Sequence, residues 1–249
     1  MPLTFRDHFS AASPAYAQFR PRYPRALYDW IATEAPATAL VWDCATGTGQ
    51  AAIDLAAHFT HVVATDASRA QLAAAAAHPR VSYAQSRAEA AGLASGCADA
   101  VVAAQAVHWF DMPAFFREAG RVGRPGALVA VWTYGNLRLP PDLDALFVSF
   151  YDNVVGPYWP PERRLIERGY VDVPMPFTPV DAPVLTMDTS MTMAALEGYV
   201  GTWSATQRYR EARGHDPVPV LRKALAGVWG DPASAKPAEW AMAIRAGRV

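Results

Sequence analysis

The chain has 249 residues, of which 52% are hydrophobic, enough to build the core of one large domain. Its 22 Lys and Arg residues are balanced by 23 Asp and Glu residues, which leaves a net charge of −1. This balance argues against nucleic acid or an anionic membrane as a partner and favours a small, locally recognised ligand. Two distant cysteines, a start without a leader pattern and the lack of a long apolar run predict a soluble, cytoplasmic protein.

From about residue 39 to 133, short apolar runs alternate with helix-like segments, a pattern typical of βαβ units. The predicted strands are ALVWDC near 39, HVVATD near 61, RVSYAQ near 80, ADAVVAAQ near 98 and GALVAVWT near 126. The predicted helices are QAAIDLAAHF, SRAQLAAAAAH, with the alanines of 73–77 as helix, and MPAFFREAGRV. Right-handed crossovers then predict an α/β fold: a Rossmann-like, doubly wound, mostly parallel sheet with helices on both faces and a ligand crevice at the carboxyl ends of the strands.

After Thr133 the sequence becomes rich in proline and aromatic residues, with helical segments near 142, 194 and 217. Two later segments, VLTMDTSM near 184 and WAMAIRAGRV near 240, are candidates for the last strands of the sheet. We therefore expect a single domain over residues 1–249. Its cofactor-binding core spans about 35–135, and a helical substrate cap is formed by 1–30 and about 136–230.

The stretch VWDCATGTGQ, residues 41–50, predicts a glycine-rich turn that lets a ligand approach the backbone closely. It lacks the third glycine of a dinucleotide fingerprint and the Lys and Ser/Thr of a P-loop, which favours a nucleoside ligand without phosphates. Asp66 ends the next strand and can accept hydrogen bonds from both hydroxyls of a ribose, although it also suits a helix N-cap. Asp43 either binds the turn backbone or holds an ammonium group.

Four segments in order, VWDCATGTGQ, VVATDAS, SRAEAAGL and ADAVVAAQAVHWFD, resemble the cofactor motifs of class I S-adenosylmethionine-dependent methyltransferases. Together with FRPRYP and GTWSATQRYR, the stretch AAQAVHWFD is similar to the trans-aconitate methyltransferase-like branch, with its methyltransferase type 11 domain. The resemblance implies S-adenosyl-L-methionine as cofactor and methyl transfer to a small-molecule acceptor. The cofactor-binding residues that it implies are Tyr16, Arg20, Asp43, Ala45, Gly47, Gly49, Gln50, Asp66, Ala67, Ser86, Ala88, Glu89 and Gln105.

Two positions depart from the family pattern. Ala45 stands where the family has its first motif I glycine, and Arg87 stands where an acid would accept from the adenine amino group. We expect Ser86, Glu89 or a water molecule to take over that contact, and the backbone N–H of Ala88 to serve the adenine ring.

Methyl transfer from a sulfonium needs neither a metal nor a protein nucleophile, and no metal site is expected. His108 is the candidate catalytic base, the alternative being a wall residue beside Trp109. The aromatic residues either line a dry pocket or belong to the core. The substrate-side candidates are Trp109, Tyr134, Trp203 and Arg210.

The acceptor is the least determined part of the prediction. Arg208, Arg210 and Arg213 fall in a probable cap helix, where they either clamp a carboxylate or form a solvated face. We expect methylation of a carboxylic acid oxygen. Methylation of an amine or phenol, a non-catalytic cofactor-binding module and an NAD-dependent oxidoreductase are the alternatives, and the oligomeric state is left open.

Overall fold

The computed structural model describes residues 21–249, and these contain an eight-stranded mixed sheet in the order β3-β2-β1-β4-β5-β8-β6, with β7 also paired to β8. The strands are β1 Leu40–Cys44, β2 His61–Asp66, β3 Val81–Gln85, β4 Ala98–Ala104, β5 Gly123–Arg138, β6 Thr178–Pro179, β7 Thr186–Met191 and β8 Lys236–Arg248.

The first five strands are parallel, and β8 is antiparallel to β5, β6 and β7. This confirms the predicted Rossmann-like α/β fold and both late strands. Because β3, β2, β1, β4 and β5 run in one direction, their carboxyl ends meet at a single edge of the sheet. Strand β5 extends to Arg138, five residues beyond the point where the sequence pattern changes, because β8 pairs with it as far as Arg138.

Helices cover both faces of the sheet and one end of it. They are α1 Arg25–Glu34, α2 Gln50–Leu55, α3 Arg69–Ala73, α4 Met112–Val122, α5 Pro141–Phe150, α6 Arg163–Glu167, α7 Met193–Gly201, α8 Ser204–Arg213 and α9 Val218–Trp229. Short 3₁₀ turns lie at Val107–Trp109 and Gly156–Tyr158, and a π-helical turn at Tyr151–Val155 continues α5.

The alanine run 73–77 was wrongly predicted as helix, because α3 ends at Ala73 and the next residues form a turn. Helix propensity alone does not extend a helix whose next turn has no apolar face to bury, and tertiary packing then decides where it ends. The helices predicted near 142, 194 and 217 are confirmed as α5, α7 and α9.

Three apolar clusters hold these layers together. On one face of the sheet, Leu27 and Ile31 of α1 pack with Leu55 of α2, and on the other Phe115 of α4 packs with Tyr170. The third cluster joins α5, α7 and α9 to the ends of β5 and β8, and forms the body of the cap. Within residues 21–249, no helix has the length and apolar character needed to cross a membrane.

Candidate functional site

The predicted glycine turn connects the end of β1 to α2 in a strained, left-handed backbone. Ala45, Gly47 and Gly49 have φ values of 55°, 58° and 83°. A β-carbon added at Gly49 would lie 2.2 Å from the Tyr83 hydroxyl oxygen, so a side chain there would collide with β3. Ala45 adopts the same left-handed region despite its methyl group, a strain that clusters at functional sites. The turn therefore presents backbone, with almost no side chain, to the crevice.

Asp43, the fourth residue of β1, is completely buried beside this turn. Its Oδ2 accepts a hydrogen bond from the Thr46 hydroxyl at 2.5 Å, while the buried Oδ1 has no hydrogen-bond partner among residues 21–249. Burial raises the pKa of Asp43 to about 7, the nearby charge of Asp66 raises it further, and the Thr46 bond opposes the shift. An unsatisfied buried carboxylate oxygen is costly, and a donor on a bound ligand would satisfy it.

Asp66 ends β2 and fixes the turn from the neighbouring strand. Its Oδ2 accepts the Gly47 N–H at 2.9 Å, and its Oδ1 accepts the Ser68 N–H at 2.8 Å. The N-cap of α3 is Ser68, whose hydroxyl accepts from Gln71, so the interpretation of Asp66 as that helix's N-cap is wrong. Each carboxylate oxygen retains acceptor capacity beyond one bond, as binding of ribose hydroxyls requires.

The end of β3 contributes the predicted adenine loop. The Ser86 N–H donates to the Asp66 carbonyl at 3.1 Å, and the buried Ser86 hydroxyl has no hydrogen-bond partner in the described part of the chain. Glu89 already accepts from Arg87 at 3.2 Å and from the Asp111 N–H at 3.1 Å. Ser86 is therefore better placed than Glu89 to supply the contact that Arg87 cannot.

The remaining cofactor candidates are distributed around these strand ends. The Gln50 amide donates to the Pro21 carbonyl at 3.2 Å, which ties α2 to the amino-terminal segment. The Ala67 carbonyl accepts from the Gln85 amide at 3.0 Å, and Ala88 is buried. Tyr16 and Arg20 lie outside the described residues.

Gln105 follows β4 in a left-handed conformation, with φ of 53°. Its side-chain oxygen accepts from the Thr133 hydroxyl at 2.6 Å, and its amide lies 3.5 Å from the Tyr134 carbonyl. These contacts to β5 hold a non-glycine residue in a sparsely populated backbone region, at the edge of the sheet where a ligand would sit.

His108 lies in the 3₁₀ turn after β4 and is buried. Its Nδ1 is 2.7 Å from the hydroxyl oxygen of Tyr170. The ring centroids of His108 and Trp109 are 4.8 Å apart. Burial lowers the pKa of His108 to about 3, and the positive charge of Arg163 lowers it further. The imidazole is therefore neutral near pH 7, with one nitrogen already committed to a hydrogen bond.

The sequence did not single out Arg163, the first residue of α6, although its side chain is only 16% exposed. Its Nε donates to the Tyr151 hydroxyl at 2.9 Å, its Nη2 donates to the Asn136 side-chain oxygen, and its guanidinium lies 4.5 Å from the Trp159 ring centroid. The segment PPERRLIERG carries several arginines with no periodic feature that marks one of them. The structure is needed to show that Arg163 is the arginine of this segment whose side chain is mostly buried.

The predicted substrate residues separate into two groups. Tyr134 and Trp203 are buried in the cap cluster, and the Trp203 ring lies 5.4 Å from that of Trp159. Arg210 instead donates to both carboxylate oxygens of Asp216, at 3.1 and 3.0 Å, and to the Gly201 carbonyl. Its charge is thereby neutralised within the cap, which favours a structural role.

The residues at the ends of β1, β2 and β3 together fit a nucleoside ligand that carries an ammonium group. The unsatisfied Asp43 oxygen suits the ammonium, Asp66 suits ribose hydroxyls, the unsatisfied Ser86 hydroxyl suits a base, and the glycine turn presents backbone rather than side chains to the ligand. Within residues 21–249, no group of three His, Cys, Asp or Glu side chains is arranged to hold a metal ion.

Comparisons with known proteins identify the family of the chain. Residues 42–131 match a family model described as a methyltransferase domain. The chain is 32% identical over 228 residues to a Dictyostelium discoideum methyltransferase, covering 90% of this chain and 87% of the relative. It is 32% identical over 198 residues to a Mycobacterium tuberculosis methyltransferase, covering 79% and 76%. The solved structure of a type II methyltransferase from Anaeromyxobacter dehalogenans has a TM-score of 0.87 and 45% identity, covering 92% of this chain and 98% of that one.

Proposed function

The chain belongs to the S-adenosylmethionine-dependent methyltransferases, and on this basis we propose that it methylates a carboxylate oxygen of a small-molecule acceptor. The enzyme class and the cofactor follow from the family, whereas the acceptor class is argued from the site. When bound, S-adenosylmethionine supplies a methyl group that is already activated by its sulfonium charge. The protein's task is then to position the acceptor and to keep it in a nucleophilic form.

The observation that carries the acceptor class is the state of His108. An alkylammonium must lose a proton before methyl transfer and a phenol before or during it, and a useful base has a pKa near the working pH. A pKa of about 3 makes the His108 imidazole a weak base, and its Nδ1 is engaged with Tyr170. A carboxylate is ionised near neutral pH and needs orientation more than deprotonation. We therefore assign His108 the role of positioning the acceptor.

The cofactor side of the proposal assigns roles to four residues. Asp43 and Asp66 would accept from the ammonium and the ribose hydroxyls, Ser86 would contact the adenine, and Gln105 would shape the backbone beside the methyl donor. Trp109, in the 3₁₀ turn after β4, and Tyr134, in the second half of β5, would border the acceptor. Arg210 is omitted from the acceptor site because Asp216 binds it.

A turnover panel with S-adenosylmethionine labelled on its methyl group tests this proposal. The panel contains monocarboxylic acids, the tricarboxylates citrate and trans-aconitate, and amines and phenols of similar size. We expect methyl esters as products, identified by their lability to mild base. Turnover confined to amines or phenols would refute the carboxylate assignment, and trans-aconitate as the best acceptor would place the enzyme in that branch of the family.

A further inference from the structure

We propose that Arg163 binds the acceptor's carboxylate and that the acceptor is a monocarboxylic acid with an apolar or aromatic body. This inference rests on the proposed function, since it names the group that recognises the acid and the shape of the acid. It differs from the sequence-based expectation, which named Arg210 as a substrate-side candidate and left it between a carboxylate clamp and a solvated helix face.

The guanidinium of Arg163 is held along one edge and open along the other. Its Nε and Nη2 donate to Tyr151 and Asn136, so one long edge of the group is fixed by α5's continuation and by β5. Nη1 makes no hydrogen bond to any residue between 21 and 249. The edge formed by Nη1 and the second hydrogen of Nη2 is the fork that binds two carboxylate oxygens side by side. Its orientation is set before a ligand arrives, which reduces the entropy lost on binding.

The nearest acidic group leaves this edge open. Glu167 lies 3.8 Å from Nε of Arg163, and it accepts from the Tyr151 hydroxyl at 2.6 Å. Its side chain is 42% exposed, so solvent weakens its attraction for the guanidinium. Glu167 makes no hydrogen bond to the Arg163 guanidinium, whereas Asp216 accepts two from Arg210, so the charge of Arg163 is the less fully balanced of the two.

Arg163 also faces the predicted reaction region. Helix α6 packs against the 3₁₀ turn that carries His108, and the charge of Arg163 contributes to the lowered pKa of that histidine. Asn136 lies two residues beyond Tyr134 on β5, at the same edge of the sheet as Gln105. The positive charge of the guanidinium would keep an acid bound here ionised.

The surroundings of Arg163 are aromatic, which suggests the shape of the acid. Trp159 stacks on the guanidinium, and the rings of Tyr151, Trp159 and Trp203 lie 5.4 to 5.6 Å apart. Among residues 21–249 the buried Trp159 indole N–H has no hydrogen-bond partner and is a second donor beside the guanidinium. One neutral donor does not offset the burial of a second carboxylate among these rings, where a negative charge is unfavourable. A single carboxylate on an apolar body fits them.

The test compares acids with their neutral amides in the presence of S-adenosylhomocysteine. The probes are phenylacetate, cinnamate and octanoate, their three amides, and citrate and trans-aconitate. Calorimetry measures probe affinity for the wild type, Arg163→Met, Arg163→Lys and the control Arg164→Met, which changes an exposed arginine on the same helix. Steady-state kinetics measures KM and kcat for every acid that turns over.

We expect at least one monocarboxylate to bind to the wild type. Its affinity should fall about 10- to 100-fold in Arg163→Met and by a smaller factor in Arg163→Lys. Its affinity should be unchanged in Arg164→Met. The loss should appear in KM more than in kcat, and S-adenosylhomocysteine affinity should be equal in all variants, which shows that they are folded. Unchanged acid affinity in Arg163→Met, or tighter binding of the tricarboxylates than of every monocarboxylate, overturns the proposal while carboxylate methylation stands. Turnover of amines or phenols alone refutes the proposed function itself, and this inference with it.

Discussion

Replacement of Asp43 by asparagine should stabilise the protein without ligand and weaken its hold on the cofactor. The asparagine side chain keeps the shape of the aspartate and still accepts from the Thr46 hydroxyl, but the substitution removes a charge that is completely buried. The pKa of Asp43 is about 7 in the folded protein and 3.8 in an unfolded chain. Between about pH 4 and 7 the folded state therefore binds a proton that the unfolded state has released.

The magnitude follows from this difference of about three pKa units. At about 1.36 kcal/mol per unit, the buried charge lowers the free energy of unfolding by up to about 4 kcal/mol above pH 7. The wild type should lose this stability as the pH rises from 4 to 7, whereas the Asp43→Asn variant should not. The two proteins should be equally stable near pH 4, and the variant should be the more stable one at pH 8.

The affinity for the cofactor should change with pH in the direction opposite to that of the stability. The ionised carboxylate is the form that attracts an ammonium group, and with a pKa of about 7 its population rises about tenfold from pH 6 to pH 8. Wild-type affinity for S-adenosylmethionine should rise over that range, by less than this factor because the ligand's α-amino group begins to lose its proton near pH 8, and the affinity of Asp43→Asn should be lower and show no such rise. Chemical denaturation at several pH values and calorimetry with the cofactor make the two measurements. A variant that is less stable than the wild type at pH 8, or that keeps the wild-type pH dependence of binding, would refute the reasoning.

Three further substitutions test the remaining parts of the site. Asp66→Ala should weaken S-adenosylmethionine binding by about 1.5 to 3 kcal/mol in calorimetry, since charge-assisted hydrogen bonds are lost, and an unchanged affinity would mean that the residue serves the turn alone. His108→Asn should lower kcat by less than tenfold, because a neutral imidazole positions the acceptor, while a loss of about 10²-fold or more would identify a general base. Gly49→Ala should lower the melting temperature and abolish measurable cofactor binding, because the added carbon meets the Tyr83 hydroxyl in a left-handed backbone; wild-type values for both would show that the turn relaxes freely.

The cofactor half of the molecule could be predicted from local signals. A glycine turn between an apolar strand and a helix, with an acid at the end of the next strand, encodes its own geometry within about 25 residues. The alternation of strands and helices then predicts that the first five strands run parallel. Helix α4 begins and ends at the residues that its sequence pattern predicts. The prediction of a helix over the alanine run was wrong because composition indicates only which residues tolerate a helix. It does not indicate where the helix loses the buried contacts that stabilise it.

The acceptor side could not be predicted in the same way, because its contacts join distant segments. Arg163 is oriented by Asn136 on β5 and by Tyr151 in the π-helical turn, and neither partner has a spacing that reveals the contact. Arg210 and Arg213 do lie in one helix, as expected, but Asp216 and the Tyr158 hydroxyl bind them. The partner of each arginine depends on which acidic or polar groups the fold brings near it, and the spacing of arginines along the sequence does not show this.

Strands β5 and β8 lie side by side along their lengths although residues 139–235 come between them in the chain. All of the helices that contribute to the third apolar cluster lie in that segment. The segment begins at the end of β5 and ends at the start of β8. A family with this layout can replace the segment between the two strands without altering the strand ends that we propose hold the cofactor. Acceptor choice can then diverge among relatives while the methyl donor stays the same, and grafting residues 139–235 between two homologues is the corresponding route to a changed specificity.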